Sequence, residues 1–223
     1  KLLYKKAFEK KIPITDEFVD LFNRPSVQAA FKKAYKMAAE KNVALPRINL
    51  KNGKMYTEDG NLITAVDTKL LHWMKMSLDD TIYIGRSPQS GVGATELNLQ
   101  KATKNDFLNY IDKYNKTYKA ARNEWSEKTA IMDKLELGRK FDAPKQNIEE
   151  ISEEIAAMSK SELEAFRNGV LNNIVEKMEK SIAFDGRGAN LAFNIIKTPR
   201  SRKLLRETFE PGAAGEKKFN KFI

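Results

Sequence analysis

Apolar residues recur at three- and four-residue intervals along most of this chain, and that period constrains the fold more than any other feature. From Leu97 onward the pattern is nearly unbroken. Phe107, Ile111, Tyr114 and Tyr118 share one helical face, and Ile131, Leu135 and Phe141 belong to a later helix whose last turn Gly138 weakens. Ile148, Ile151 and Ile155 form the apolar side of an acidic helix, and Phe166, Val170, Ile174 and Met178 that of the next. Earlier, Val27, Phe31, Ala34 and Ala38 make a stripe that Ala30 and Tyr35 widen, and Leu70, Leu71, Met74 and Leu78 make another. This period belongs to amphipathic helices packed on one another. It predicts an all-α array of about eight short helices.

Start signals agree with the period. In "MSKSELEAF", Ser159 and Glu162 form a capping box, with Met158 and Leu163 at the two staple positions. Two helices open on proline, which costs nothing at the first helical position. Pro25 follows Asn23-Arg24, and Pro199 follows Thr198 in "TPRSRKLLRETF", where Leu204, Leu205 and Phe209 form the apolar side. Asp16 to Phe22 reads as a short helix before the first of these, giving a helix–turn–helix unit. One segment departs from the rule. "INLKNGKMYTEDGNLITAV" places Asn52-Gly53 and Asp59-Gly60 between β-prone runs, so a small β-hairpin is expected near residues 48–66. The expected organisation is an extended or linking segment over 1–14, a helical domain over 15–210 and a basic tail over 211–223.

Composition bounds what the array does. The 223 residues are 41% hydrophobic and 31% charged, enough for a packed core. A net charge of +10 favours a polyanionic neighbour. Cysteine is absent, which excludes disulfides and thiolate metal sites. No apolar run approaches the roughly 20 residues of a spanning helix, and no signal-peptide pattern occurs. The chain starts with Lys1 and reads as a piece of a longer polypeptide, any enzymatic part lying outside it.

Catalytic signatures are not evident. His72, the single histidine, has no second histidine or serine elbow beside it and reads as structural. "GRSPQSGVGATE" is glycine-rich, but Gly93 is followed by Ala94-Thr95 rather than the Lys-Ser/Thr of a phosphate-binding loop. It reads as a surface loop. Glu149, Glu150, Glu153 and Glu154 in "EEISEE" read as a solvated helix face, so no metal or other cofactor is expected.

Charge is unevenly spread. Residues 24–54 hold eight Lys/Arg against one Glu, residues 197–206 five Lys/Arg and no acid, and residues 145–164 six Glu against two Lys. Lys32, Lys33 and Lys36 fall opposite the apolar stripe of their helix; Arg200, Arg202, Lys203 and Arg206 cluster near the other end. Two readings stand: solvated faces of packed helices, or phosphate contacts that read no bases, since Asn and Gln are absent among these side chains. Trp125, Phe184 and Phe193 are candidate contacts for neighbouring subunits.

The order "RPSVQAAFKKAYKMAAEKNVALP", "VDTKLLHWMKMSLDD", a glycine-rich loop, "YNKTYKAARNEW", "AIMDKLELGRKF", "MSKSELEAFRNGV" and "TPRSRKLLRETF" resembles a helical region of the internal virion, or DNA-ejection, proteins of tailed podophages. The resemblance covers about residues 15–210 and rests on the order of the segments. It implies a non-enzymatic structural module packed inside the capsid near the portal and delivered with the genome. The implied partners are copies of itself, the portal, other internal virion proteins and genomic DNA, with transient contact with the host envelope. The implied location is the virion interior, then the host envelope or cytoplasm after ejection. Some such parents carry a lytic transglycosylase elsewhere; a virion RNA polymerase is another possible parent. The alternative is a nucleic-acid-binding module whose main task is non-specific gripping.

Overall fold

The computed structural model describes residues 2–51, 54–141 and 148–185, with Pro199, Arg202, Leu205, Arg206, Lys217, Asn220 and Lys221; for Ile148, Glu149 and residues 181–185 it describes backbone alone. The chain is mostly helical, with two small antiparallel two-stranded sheets. Eight α-helices lie among the described residues: α1 (Leu2–Phe8), α2 (Asp16–Phe22), α3 (Pro25–Glu40), α4 (Thr68–Gly85), α5 (Ala94–Tyr114), α6 (Lys116–Arg139), α7 (Ile148–Ala157) and α8 (Lys160–Asp185). The strands are β1 (Lys11–Pro13), β2 (Asn49–Lys51), β3 (Lys54–Tyr56) and β4 (Ala65–Asp67). The chain divides into two compact units, Lys1–Asn123 and Glu124–Ile223, where the sequence suggested one helical domain.

The first unit is built around the stripes of α3 and α4. Val27, Ala30, Phe31, Ala34 and Ala38 are all buried, as are Leu70, Leu71, Met74 and Leu78. The alanines let the backbones approach closely, and an ion pair from Lys33 to Asp80 joins the two helices across that contact. Arg24 caps α3 with extended backbone (φ −66°, ψ 133°) and Pro25 follows at its first turn. Arg24 makes no side-chain cap; its guanidinium reaches Asp106 of α5 at 2.7 Å instead.

Residues 2–14, expected as an extended or linking segment, hold α1 and the extended strand β1 and contribute to the first unit's core. Ala7 of α1 and Ile12 of β1 have no exposed surface, and β1 pairs with β4 in the register Ile12↔Val66. Pattern analysis missed this because α1 offers two turns and β1 three residues, too short for a period to show. The expected hairpin is present as β2–β3, with Leu50 opposite Met55. Its Asn52-Gly53 turn lies outside the described residues. The Asp59-Gly60 turn is described: Gly60 takes φ 82°, the left-handed region glycine favours, and Thr57 N–H donates to Asn61 at 2.8 Å.

A second correction concerns Tyr114 and Tyr118, which do not share one helix. The helix breaks at Asn115 (φ −132°, ψ 82°), and α6 starts afresh. The Asn115 carboxamide drives the break. Its oxygen accepts from Tyr118 N–H at 3.0 Å, and its nitrogen donates to the Ala7 carbonyl at 2.9 Å and to Thr68 Oγ1 at 3.0 Å. Thr68 in turn donates to the Lys10 carbonyl at 2.6 Å. One buried amide thus ties together α1, α4, α5 and α6.

In the second unit, Phe141, Ile151, Ile155, Phe166, Val170, Ile174 and Leu205 form the core. Ile131 and Leu135 belong to α6 itself, which runs on from Lys116 rather than ending before them. Gly138 has a packing role beyond its place in a last turn. A Cβ built there would overlap the Phe166 carbonyl oxygen, and one built on Gly169 would overlap that of Leu135. The two glycines let α6 and α8 cross backbone to backbone. The capping box of α8 forms as expected, with Ser159 N–H donating to Glu162 Oε2 at 2.8 Å and Glu162 N–H to Ser159 Oγ at 3.4 Å. The helix read from "TPRSRKLLRETF" lies largely outside the described residues, though Leu205 is buried.

Candidate nucleic-acid interface

On α3 the buried stripe fixes which side meets water. Lys32 and Lys36 stand one helical turn apart on the exposed side, about 6 Å along the axis. Neither makes a hydrogen bond or ion pair among the described residues. Lys33 differs: it is partly buried and committed to Asp80. Of the three lysines read from the sequence, two are therefore available to an anion. Arg202 and Arg206 are exposed, and each already has an interaction within the fold. Arg200 and Lys203 lie outside the described residues. Lys32 and Lys36 belong to the first unit, Arg202 and Arg206 to the second.

A further cationic pair went unnoticed in the sequence reading. Lys51 and Lys54 lie directly opposite each other across the β2–β3 ribbon, both exposed. Like charges so placed weaken a ribbon unless an anion lies between them. The signal was readable in the sequence Lys-Asn-Gly-Lys, a turn-favouring Asn-Gly pair with a lysine on either side.

His72 is structural in its surroundings. Its Nδ1 lies 3.1 Å from the Tyr118 hydroxyl, and the rings of Tyr4, Phe8, Trp73 and Tyr118 surround it with centroids 5.2 to 6.4 Å away. Burial, aided by the nearby Lys75 charge, lowers its pKa to about 4; the Asp79 carboxylate opposes this weakly. Burial likewise raises the Tyr118 hydroxyl far above the ordinary tyrosine range. A neutral imidazole and an un-ionised phenol share one hydrogen bond in an aromatic box, which is a packing arrangement.

Carboxylates are used in the same way. Burial pushes Asp79 upward, but hydrogen bonds from Lys104 at 2.8 Å and Lys75 at 2.5 Å outweigh it and hold the group below its usual value. Asp112 accepts both oxygens' worth of bonds from the Arg122 guanidinium, each at 2.6 Å, in the best-buried ion pair among the described residues. A cleft of about 430 Å³ between α6 and the start of α8 is lined by Ser126, Ser159 and Glu162, the last two engaged in the cap. Among the described residues no three His, Cys, Asp or Glu side chains converge as a metal site would require. No described helix is long and apolar enough to cross a membrane. The glycine-rich loop is an ordered turn, with Ser90 Oγ donating to the Gly85 carbonyl at 3.1 Å and Gly91 at φ 71°. In comparison with known proteins, the chain matches no family model, no curated protein and no solved structure.

Proposed function

We propose that this chain is a non-enzymatic helical module of a phage internal core protein, packed near the portal and delivered with the genome. The order of its helical segments, which resembles that of podophage ejection proteins, supports this reading. So do its net charge of +10 and the apolar side chains left on helix surfaces, Trp125 and Met132 on α6 and Leu171 and Val175 on α8, each about half exposed or more. Trp125 and Met132 are seven residues apart and so lie on one side of their helix. Phe184 and Phe193, read as further contacts, lie outside the described side chains. Such surfaces suit a subunit that packs against copies of itself and other core proteins. Sedimentation velocity over a concentration series tests this. Reversible self-association that Trp125→Ser with Met132→Ser abolishes is the expected result; a monomer at every concentration overturns it.

The observation that favours the second reading, non-specific DNA contact, is the pair Lys32 and Lys36: exposed, unpaired and one turn apart on α3. Two ammonium groups one turn apart can grip phosphate, and neither of them has the donor-acceptor pattern that reads a base. The two readings are compatible, since a core protein near packaged DNA meets phosphate at high density.

A further inference from the structure

Beside the β2–β3 ribbon the first unit has an apolar pocket of about 130 Å³. Ile14, Phe18, Val19 and Phe22 line it from the α2 side, and Met55 and Leu62 from the ribbon side. Its floor is core: Phe18 and Phe22 are buried and Met55 is 4% exposed. Its rim is wet: Leu62 is 53% exposed, and Lys54 contributes to the wall. A closed apolar cavity of similar size, about 150 Å³, stays dry and takes up a benzene-sized group. This pocket therefore fits one leucine- or phenylalanine-sized side chain and is too short for an acyl chain.

Its charge setting selects what carries that side chain. Lys54 at the wall and Lys51 directly opposite are exposed and make no ion pair among the described residues. They repel each other, so an anion beside the pocket relieves a standing cost. A nucleic-acid backbone would satisfy the lysines but leave the pocket empty. An uncharged apolar segment would fill the pocket but leave the lysines unpaired.

We infer that this pocket docks an acidic segment of a partner protein, with one apolar side chain inserted beside Leu62 and flanking carboxylates on Lys51 and Lys54. The site stands independently of the virion reading. It belongs to the helix-and-ribbon half of the chain and involves neither Lys32 nor Lys36.

The full chain, isotope-labelled, is titrated with the peptide acetyl-Glu-Asp-Leu-Glu-Asp-amide and followed by amide NMR. The expected result is saturable shifts at Val19, Met55 and Leu62. Replacing the peptide leucine by serine should abolish them, and Lys51→Glu with Lys54→Glu should weaken binding by roughly tenfold or more. Thermal melting of the double variant shows that its fold persists; Lys51→Gln with Lys54→Gln serves if it does not. No shifts at millimolar peptide, or equal shifts with the serine peptide, overturn the proposal. Duplex DNA giving the same shifts assigns the lysines to phosphate and overturns it. Shifts that arise on concentrating the protein alone assign the pocket to a second copy, which also overturns it.

Discussion

Asn115 shows how one side chain can hold four elements. Its amide is fully buried, and all three of its bonds replace partners that backbone or hydroxyl groups would otherwise lack. Asn115→Ala leaves Tyr118 N–H and the Thr68 hydroxyl with fewer partners and opens a small cavity. The expected loss is about 2–4 kcal/mol by urea denaturation. A loss below about 0.5 kcal/mol would mean that water replaces the amide at no cost. His72 gives a second test. Its folded pKa, about 4, lies below the ordinary value of 6.5, so the unfolded chain binds the extra proton more readily. Stability from this site is complete above pH 6.5 and is lost as pH falls from 6.5 toward 4, by up to about 3 kcal/mol. His72→Phe should remove that part of the slope, read as melting temperature against pH. An unchanged slope in the variant would place the titration elsewhere.

At the scale of elements, the crossing of α6 and α8 depends on two missing side chains. Gly→Ala in a helix interior normally gains up to about 1 kcal/mol from propensity. At Gly138 and Gly169 the new methyl would meet a backbone carbonyl, which cannot rotate aside, so the helices must separate. Overpacking of this kind costs about 1–3 kcal/mol or more and reverses the sign. Gly138→Ala and Gly169→Ala should each destabilise the second unit, seen as faster hydrogen exchange in α8. Gly93→Ala is the comparison without a clash: nothing lies within 4 Å of a Cβ there, and the loss should stay at or below about 1 kcal/mol, the cost of placing alanine at the N-cap of α5. Destabilisation by Gly93→Ala equal to that by Gly138→Ala would refute the close-crossing account.

For the whole molecule, the basic surface predicts how DNA affinity responds to salt. Each lysine that neutralises a phosphate adds about 0.9 to the slope of log K against log salt. Lys32→Ala with Lys36→Ala should flatten the slope by up to about 2 units, equally on unrelated sequences. Lys33→Ala should leave it unchanged, because that ammonium is held by Asp80. Loss of the half-exposed ion pair should cost at most about 1 kcal/mol of stability. A slope that responds to Lys33 as strongly as to Lys36 would show that the ion pair opens for DNA. A slope that responds to none of the three makes α3 plain scaffold.

The local rules of helices were legible in sequence because each acts within a few residues. The stripes of α3 and α4, the proline start at Pro25, the capping box at Ser159 and the β2–β3 ribbon all follow from spacing and turn chemistry that neighbours along the chain satisfy. Tertiary structure alone decided what depended on residues far apart. Lys33 looks like its neighbours until Asp80, 47 positions away, pairs with it. Asn115 reads as an ordinary helix residue until Ala7, 108 positions away, offers a carbonyl. Residues 1–14 carry too few turns to show a period, yet β1 is fixed by pairing with β4. Gly138 reads as a weak point until Gly169 is placed against it. In each case the deciding energy lies in a contact between distant segments, and no local pattern encodes which segment arrives.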